Sequence, residues 1–176
     1  MMRVIQMGLN YSTTRFQSLN APSTAKFTWA KTRDVLENKT FDAFEERIEE
    51  DGSDLPHFPI TTTYGLLLAD EATSKILRPK LCENGGDIAE CTIQTQFGTY
   101  TGFRAFNLLS QSPESNIFRL AEFRDPTEIG VEQYISVSFA KWLRSTVNCG
   151  AIVFRDVETD GIYRPQQSLH PRSKDL

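Results

Sequence analysis

The sequence predicts an α+β fold, a mixed or antiparallel sheet with a few short helices packed on it. Three observations lead there. Alternating polar and apolar residues recur in short runs along the whole chain. Helical apolar spacing occurs only in short segments. Gly, Pro, Asn and Asp clusters break the chain between them.

Taken in order, Arg3–Met7 alternates and reads as a first strand. Residues 10–24 are rich in Ser, Thr and Asn and read as a loop or short edge strand. Lys26–Leu36 is ambiguous between strand and helix. Phe41, Phe44 and Ile48 fall at helical spacing behind Thr40, which predicts a short capped helix. Asp51-Gly52-Ser53-Asp54 breaks it, and Pro56 and Pro59 force an extended path.

Leu66–Ala69 is a short apolar run. Asp70 then caps a helix over Glu71–Leu77, which is expected to end before Pro79. Ile88–Gln94 and Thr99–Leu109 are strand patterns joined by a turn at Gly98, a hairpin. Ile117–Leu120 is a further short strand. Ser136 caps a helix through Arg144, and Ala151–Val157 is the last strand. The segments Asp70–Leu77 and Ser136–Leu143 share a cap residue and an apolar pair at the same offset, so they form a candidate internal repeat. One domain over 1–158 is expected, with lobes 1–64 and 65–158 as a finer division. A poorly ordered tail, 159–176, follows.

The 176 residues are 39% hydrophobic and 11% aromatic, enough for a folded core rather than a disordered chain. Twelve phenylalanines make that core rich in rings. A net charge of −4 argues against general nucleic-acid binding, which needs a basic surface. No apolar run is long enough for a membrane span. The first residues lack the apolar core of a secretory signal. Cys82, Cys91 and Cys149 are odd in number and show no CxxC spacing, so reduced thiols in a cytoplasm are expected.

Little in the sequence points to catalysis. His57 sits between Pro56 and Phe58, and His170 lies in the tail. Neither belongs to a nucleophile, metal or phosphate-loop motif. Gly85-Gly86-Asp87 is a turn signal, not a phosphate cradle. Cys91 in a strand and Cys149 beside a helix C-terminus read as inert thiols, because that end of the helix dipole disfavours a thiolate. Scattered Cys and His give no local pair to seed a zinc site. The expectation is therefore no catalytic residues, no metal and no cofactor.

Charge placement is the distinctive feature. Between Asp42 and Asp54 stand seven acids and one base, Arg47, so this window carries −6 and the rest of the chain +2. A solvated face is the plain use of such a run. A docking patch for a basic partner is the functional one, since concentrated charge speeds encounter and fixes register. The expected partner-binding residues are Glu45, Glu46, Glu49, Glu50, Asp51, Asp54, His57 and Phe58.

The chain also resembles the Imm-eleven-like family of bacterial immunity proteins. The similarity lies in the short first strand, the Leu55-Pro56-His57-Phe58-Pro59 segment and the capped helix at Gly65–Leu77. It continues through Tyr100…Phe106-Asn107-Leu108-Leu109 and Ile117-Phe118-Arg119-Leu120. It closes on Tyr134-Ile135-Ser136…Trp142-Leu143…Gly150-Ala151-Ile152-Val153-Phe154. The acidic stretch and the segment after Val157 depart from the pattern. The resemblance implies tight, stoichiometric neutralisation of a cognate toxin or effector of a polymorphic-toxin system, such as one delivered by type VI secretion. It hands over no catalytic residues. Two competing expectations are an acidic, phage-type inhibitor of a host defence protein and a small enzyme using Cys91 or Cys149.

Overall fold

The computed structural model describes residues 1–10, 12–13, 15–18, 32–46, 56–63, 65–122, 130 and 132–164. Among these residues it is α+β, with two sheets and three short α-helices. The strands are β1 (Met2–Leu9), β2 (Arg15–Ser18), β3 (Thr40–Glu46), β4 (Ile60–Thr63), β5 (Leu66–Asp70), β6 (Ile88–Thr95), β7 (Gly98–Ala105), β8 (Ile117–Phe118), β9 (Tyr134–Ile135) and β10 (Ile152–Thr159). The helices are α1 (Arg33–Leu36), α2 (Glu71–Cys82) and α3 (Val137–Thr146). One sheet has four strands in the order β10-β1-β9-β8. The other has six, in the order β2-β3-β6-β7-β5-β4. Residues from both sides of position 64 therefore enter each sheet.

The two sheets contain the same unit. In the larger sheet, β4 and β5 form an antiparallel pair, α2 follows, and β6 returns parallel to β5 with β7 inserted antiparallel between them. In the smaller sheet, β8 and β9 pair antiparallel, α3 follows, and β10 returns parallel to β9 with β1 inserted antiparallel between them. The spatial orders β6-β7-β5-β4 and β10-β1-β9-β8 correspond strand for strand. The units differ in connectivity, because the inserted strand of the second is β1, and β8 and β9 are shorter than β4 and β5.

The helix sequences explain the match. Asp70 Oδ1 accepts the Thr73 N–H at 2.8 Å, and Ser136 Oγ accepts the Phe139 N–H at 3.1 Å. Each cap thus satisfies a donor that the helix itself leaves open. From each cap, the buried positions fall at identical offsets: Thr73, Ser74, Leu77 and Leu81 in α2, Phe139, Ala140, Leu143 and Val147 along α3 and its end. Leu77 and Leu81 of α2 and Phe139, Ala140, Leu143 and Val147 of the second helix segment lie in one cluster with Ile5, Leu67, Phe103, Ile135 and Phe154, drawn from both sheets. The repeat expected from the two helix segments is thus present in topology, caps and buried faces.

Three local expectations change. Phe41–Ile48 does not form a helix as far as it is described. Thr40–Glu46 is a strand, parallel to β6 on one side and antiparallel to β2 on the other. Eight residues would gain few helical bonds for the cost of nucleation, whereas two neighbouring strands satisfy the backbone on both edges. Helix α2 does not stop before Pro79 but runs through it to Cys82. Burial of Leu77 and Leu81 on either side of the ring offsets the lost backbone bond. Segment 159–164 is not loose. Strand β10 continues to Thr159, Tyr163 bridges to Ala121, and Arg164 pairs with Glu122 and Glu132. Residues 165–176 lie outside the described residues.

Gln133 sutures the sheets. It precedes β9 in the smaller sheet, and its amide accepts the Ala105 N–H and donates to the Phe103 carbonyl of β7 in the larger one. It takes up the ladder beyond Leu67, the last β5 partner of β7 in that direction. No helix among the described residues is long and apolar enough to cross a membrane.

Candidate binding surface

The β6–β7 hairpin tip organises the site. Gln96 and Phe97 form its turn, and Gly98 takes φ = 110°, a backbone angle that favours glycine. Phe97 is left 37% exposed, which is unusual for so large a ring. His57 stacks on it with ring centroids 4.4 Å apart and planes 12° from parallel. Pro56 and His57 are exposed and Phe58 is half-buried. The extended segment is held in place by the Tyr100 hydroxyl, which donates to the Phe58 carbonyl at 3.2 Å. It is also held by the Phe58 ring, which covers Gly150 so closely that a Cβ there would collide with it.

Acidic residues approach the same end of the sheet. Asp42 pairs in register with Gln94, and Gln94 stands one residue before the end of β6. Asp42 is exposed. Glu45 and Glu46 continue β3 past the hairpin tip, opposite Phe16 and Arg15 of β2. Glu49, Glu50, Asp51 and Asp54 lie outside the described residues. Of the expected contact residues, the structure thus places His57 and Phe58 beside the hairpin tip, and Glu45 and Glu46 on the strand that leaves it.

Next to Phe58, where α3 ends and β10 begins, lies a cleft of about 410 Å³. Asn10, Arg144, Asn148, Cys149, Gly150 and Phe154 are among its walls. Asn10 fastens one rim, its side-chain amide donating to the Gly150 carbonyl at 3.0 Å and its backbone N–H to the Ala151 carbonyl at 2.8 Å. The Arg144 guanidinium lies 6.0 Å from the Phe154 ring centroid. The volume suits one small molecule or one large side chain of a partner. Sequence reasoning missed this cleft, because Asn10 at the end of β1 stands more than a hundred positions from the α3–β10 junction that forms the other walls. It also missed Phe97, whose only local sign is its place beside a turn glycine.

The cleft offers no activated nucleophile. The Cys149 thiol is pushed up to about 11 by burial, against the opposing pull of Arg144. Its S–H faces the Val147 carbonyl at 3.4 Å and the Leu143 carbonyl at 3.6 Å. Burial pushes Cys91 further, to about 12. Both thiols are therefore neutral near pH 7. Among the described residues no cluster of three or more His, Cys, Asp or Glu side chains could hold a metal ion.

Comparison of the chain with protein-family models, with curated proteins and with solved structures returned no match.

Proposed function

We propose that this chain is a cytoplasmic immunity-type inhibitor that neutralises a cognate bacterial toxin by binding it, with the hairpin end of the larger sheet as contact surface. The carrying observation is the exposed His57–Phe97 stack. A flat aromatic pair held by a Pro-bracketed segment is a pre-ordered anchor, and aromatic side chains at the centre of an interface supply much of its energy. Asp42 beside it, and the acidic run that follows in sequence, suit a partner with a basic surface. The adjoining cleft has room for one side chain of that partner. Occlusion of the toxin's active site or substrate groove needs no cofactor and no catalytic group on this chain. The resemblance to immunity proteins supports the same reading.

Co-expression with the products of adjacent genes tests it. The expected result is that one neighbour halts growth when expressed alone and that this chain restores growth. A neighbourhood without a toxic product, or a toxic product this chain fails to counter, would overturn the reading.

A further inference from the structure

Arg104 and Arg119 are the two largest fully buried side chains among the described residues, each 1% exposed. Both stand at the end of the larger sheet remote from the hairpin tip. Arg104 lies in β7 opposite Ala89, and its Nη1 donates to the Gly65 carbonyl at 3.0 Å. Arg119 is fixed by its backbone, whose N–H donates to the Asn107 carbonyl and whose carbonyl accepts from Leu109. Its guanidinium carbon lies 4.8 Å from the Phe106 ring centroid. Its Nε and Nη2 are buried and have no hydrogen-bond acceptor among the described residues. Carboxylates near Phe106 are already engaged, since Arg33, itself 5.1 Å from that ring, holds Asp87 and Glu37. Among the described residues no carboxylate pairs with Arg119.

A buried cation left without an acceptor is strongly unfavourable, because it has given up its water without gaining a partner. Burial, with Arg104 adding to it, pulls the Arg119 guanidinium down to about 9. It is still charged near neutral pH. The orphaned atoms are also the informative ones. Nε and Nη2 share one edge of the guanidinium, where two parallel N–H groups match the two oxygens of an oxyanion. The same edge of Arg78 grips Glu90, with Nε at 2.6 Å from one oxygen and Nη2 at 2.9 Å from the other.

We propose that the Nε–Nη2 edge of Arg119 is a buried oxyanion site that takes the carboxylate or phosphate group of a small ligand. Phe106 supports the guanidinium from one side, and Arg104 adds a second positive charge nearby. The backbone ladder at Asn107 holds the edge in place before the ligand arrives. The site is separate from the proposed docking surface and independent of the toxin reading.

Thermal unfolding of the full chain at constant ionic strength tests it, with inorganic phosphate, succinate or chloride supplied from roughly 1 to 50 mM. The expected result is a midpoint that climbs with the logarithm of phosphate or succinate concentration, and stays level in chloride. Whichever of the two acts at lower concentration identifies the preferred group. Arg119→Met should flatten the climb. Arg119→Lys, which keeps the charge but loses the planar fork, should weaken it about tenfold in concentration. A wild-type midpoint that responds alike to all three salts would overturn the proposal without recourse to any variant. So would a climb that survives in a folded Arg119→Met chain.

Discussion

A Cβ on Gly102 would sit 2.7 Å from the Cys91 sulfur and 3.3 Å from Cδ2 of Leu68. Cys91 and Gly102 are direct partners in the β6–β7 ladder, so the missing side chain of one makes room for the thiol of the other. Gly102→Ala should therefore cost about 1–3 kcal/mol by overpacking. Cys91→Ala in the same chain should recover part of that loss, giving a coupling above about 0.5 kcal/mol in a double-mutant cycle measured by urea unfolding. Additive losses would mean that the strand accommodates the methyl group elsewhere. At this scale the sequence was a fair guide to single residues and a poor guide to their partners. Cys91 could be read as a buried thiol from its strand pattern. Nothing local marked Arg104 and Arg119 as the largest fully buried side chains among the described residues, because a charged residue in or beside a strand reads as the solvent face. Phe97 and His57 likewise meet only through the fold.

The elements that were legible are those whose signals are local. Asp70 and Ser136 announced their helices because a cap needs only its own three following residues. The β6–β7 hairpin was visible from alternation and one glycine. Strand β3 was misread because Phe41 and Phe44 fit a helical stripe, and the neighbours that decide otherwise, β2 and β6, are distant in sequence. Pro79 was misread for a related reason: a breaker rule weighs the local backbone and cannot see Leu81 seated in the core. This gives a prediction for α2. Since Pro79 removes a donor from the helix interior, Pro79→Ala should stabilise the chain by about 1–3 kcal/mol, measured as a higher urea midpoint at unchanged slope. Loss of stability would show that the ring itself contributes packing that the substitution removes.

Across the molecule, two copies of one β-β-α-β-β unit share a core, and β1 completes the second copy from the far end of the chain. Met2 and Thr159 are paired at the open end of β1 and β10, and Gly161 lies against Met2. A permuted chain that begins near residue 10 and joins residue 164 to residue 1 through a short Gly-Ser linker should therefore fold with a similar unfolding midpoint. Removal of residues 1–9 should abolish cooperative unfolding, because β10 loses its strand partner and β9 loses one of its two. A truncated chain that still unfolds cooperatively would contradict the shared core. The same architecture sets the proposed docking surface, where the hairpin tip, the Pro56–Pro59 segment and β3 are brought to one end of the larger sheet from separate stretches of sequence. The most direct test of that surface is calorimetric titration of the cognate toxin with the wild-type chain and with the His57→Ala/Phe97→Ala variant. The account predicts one-to-one binding that weakens at least about a hundredfold in the variant, roughly 2.7 kcal/mol. Equal affinity for a variant that unfolds at the wild-type midpoint would contradict it.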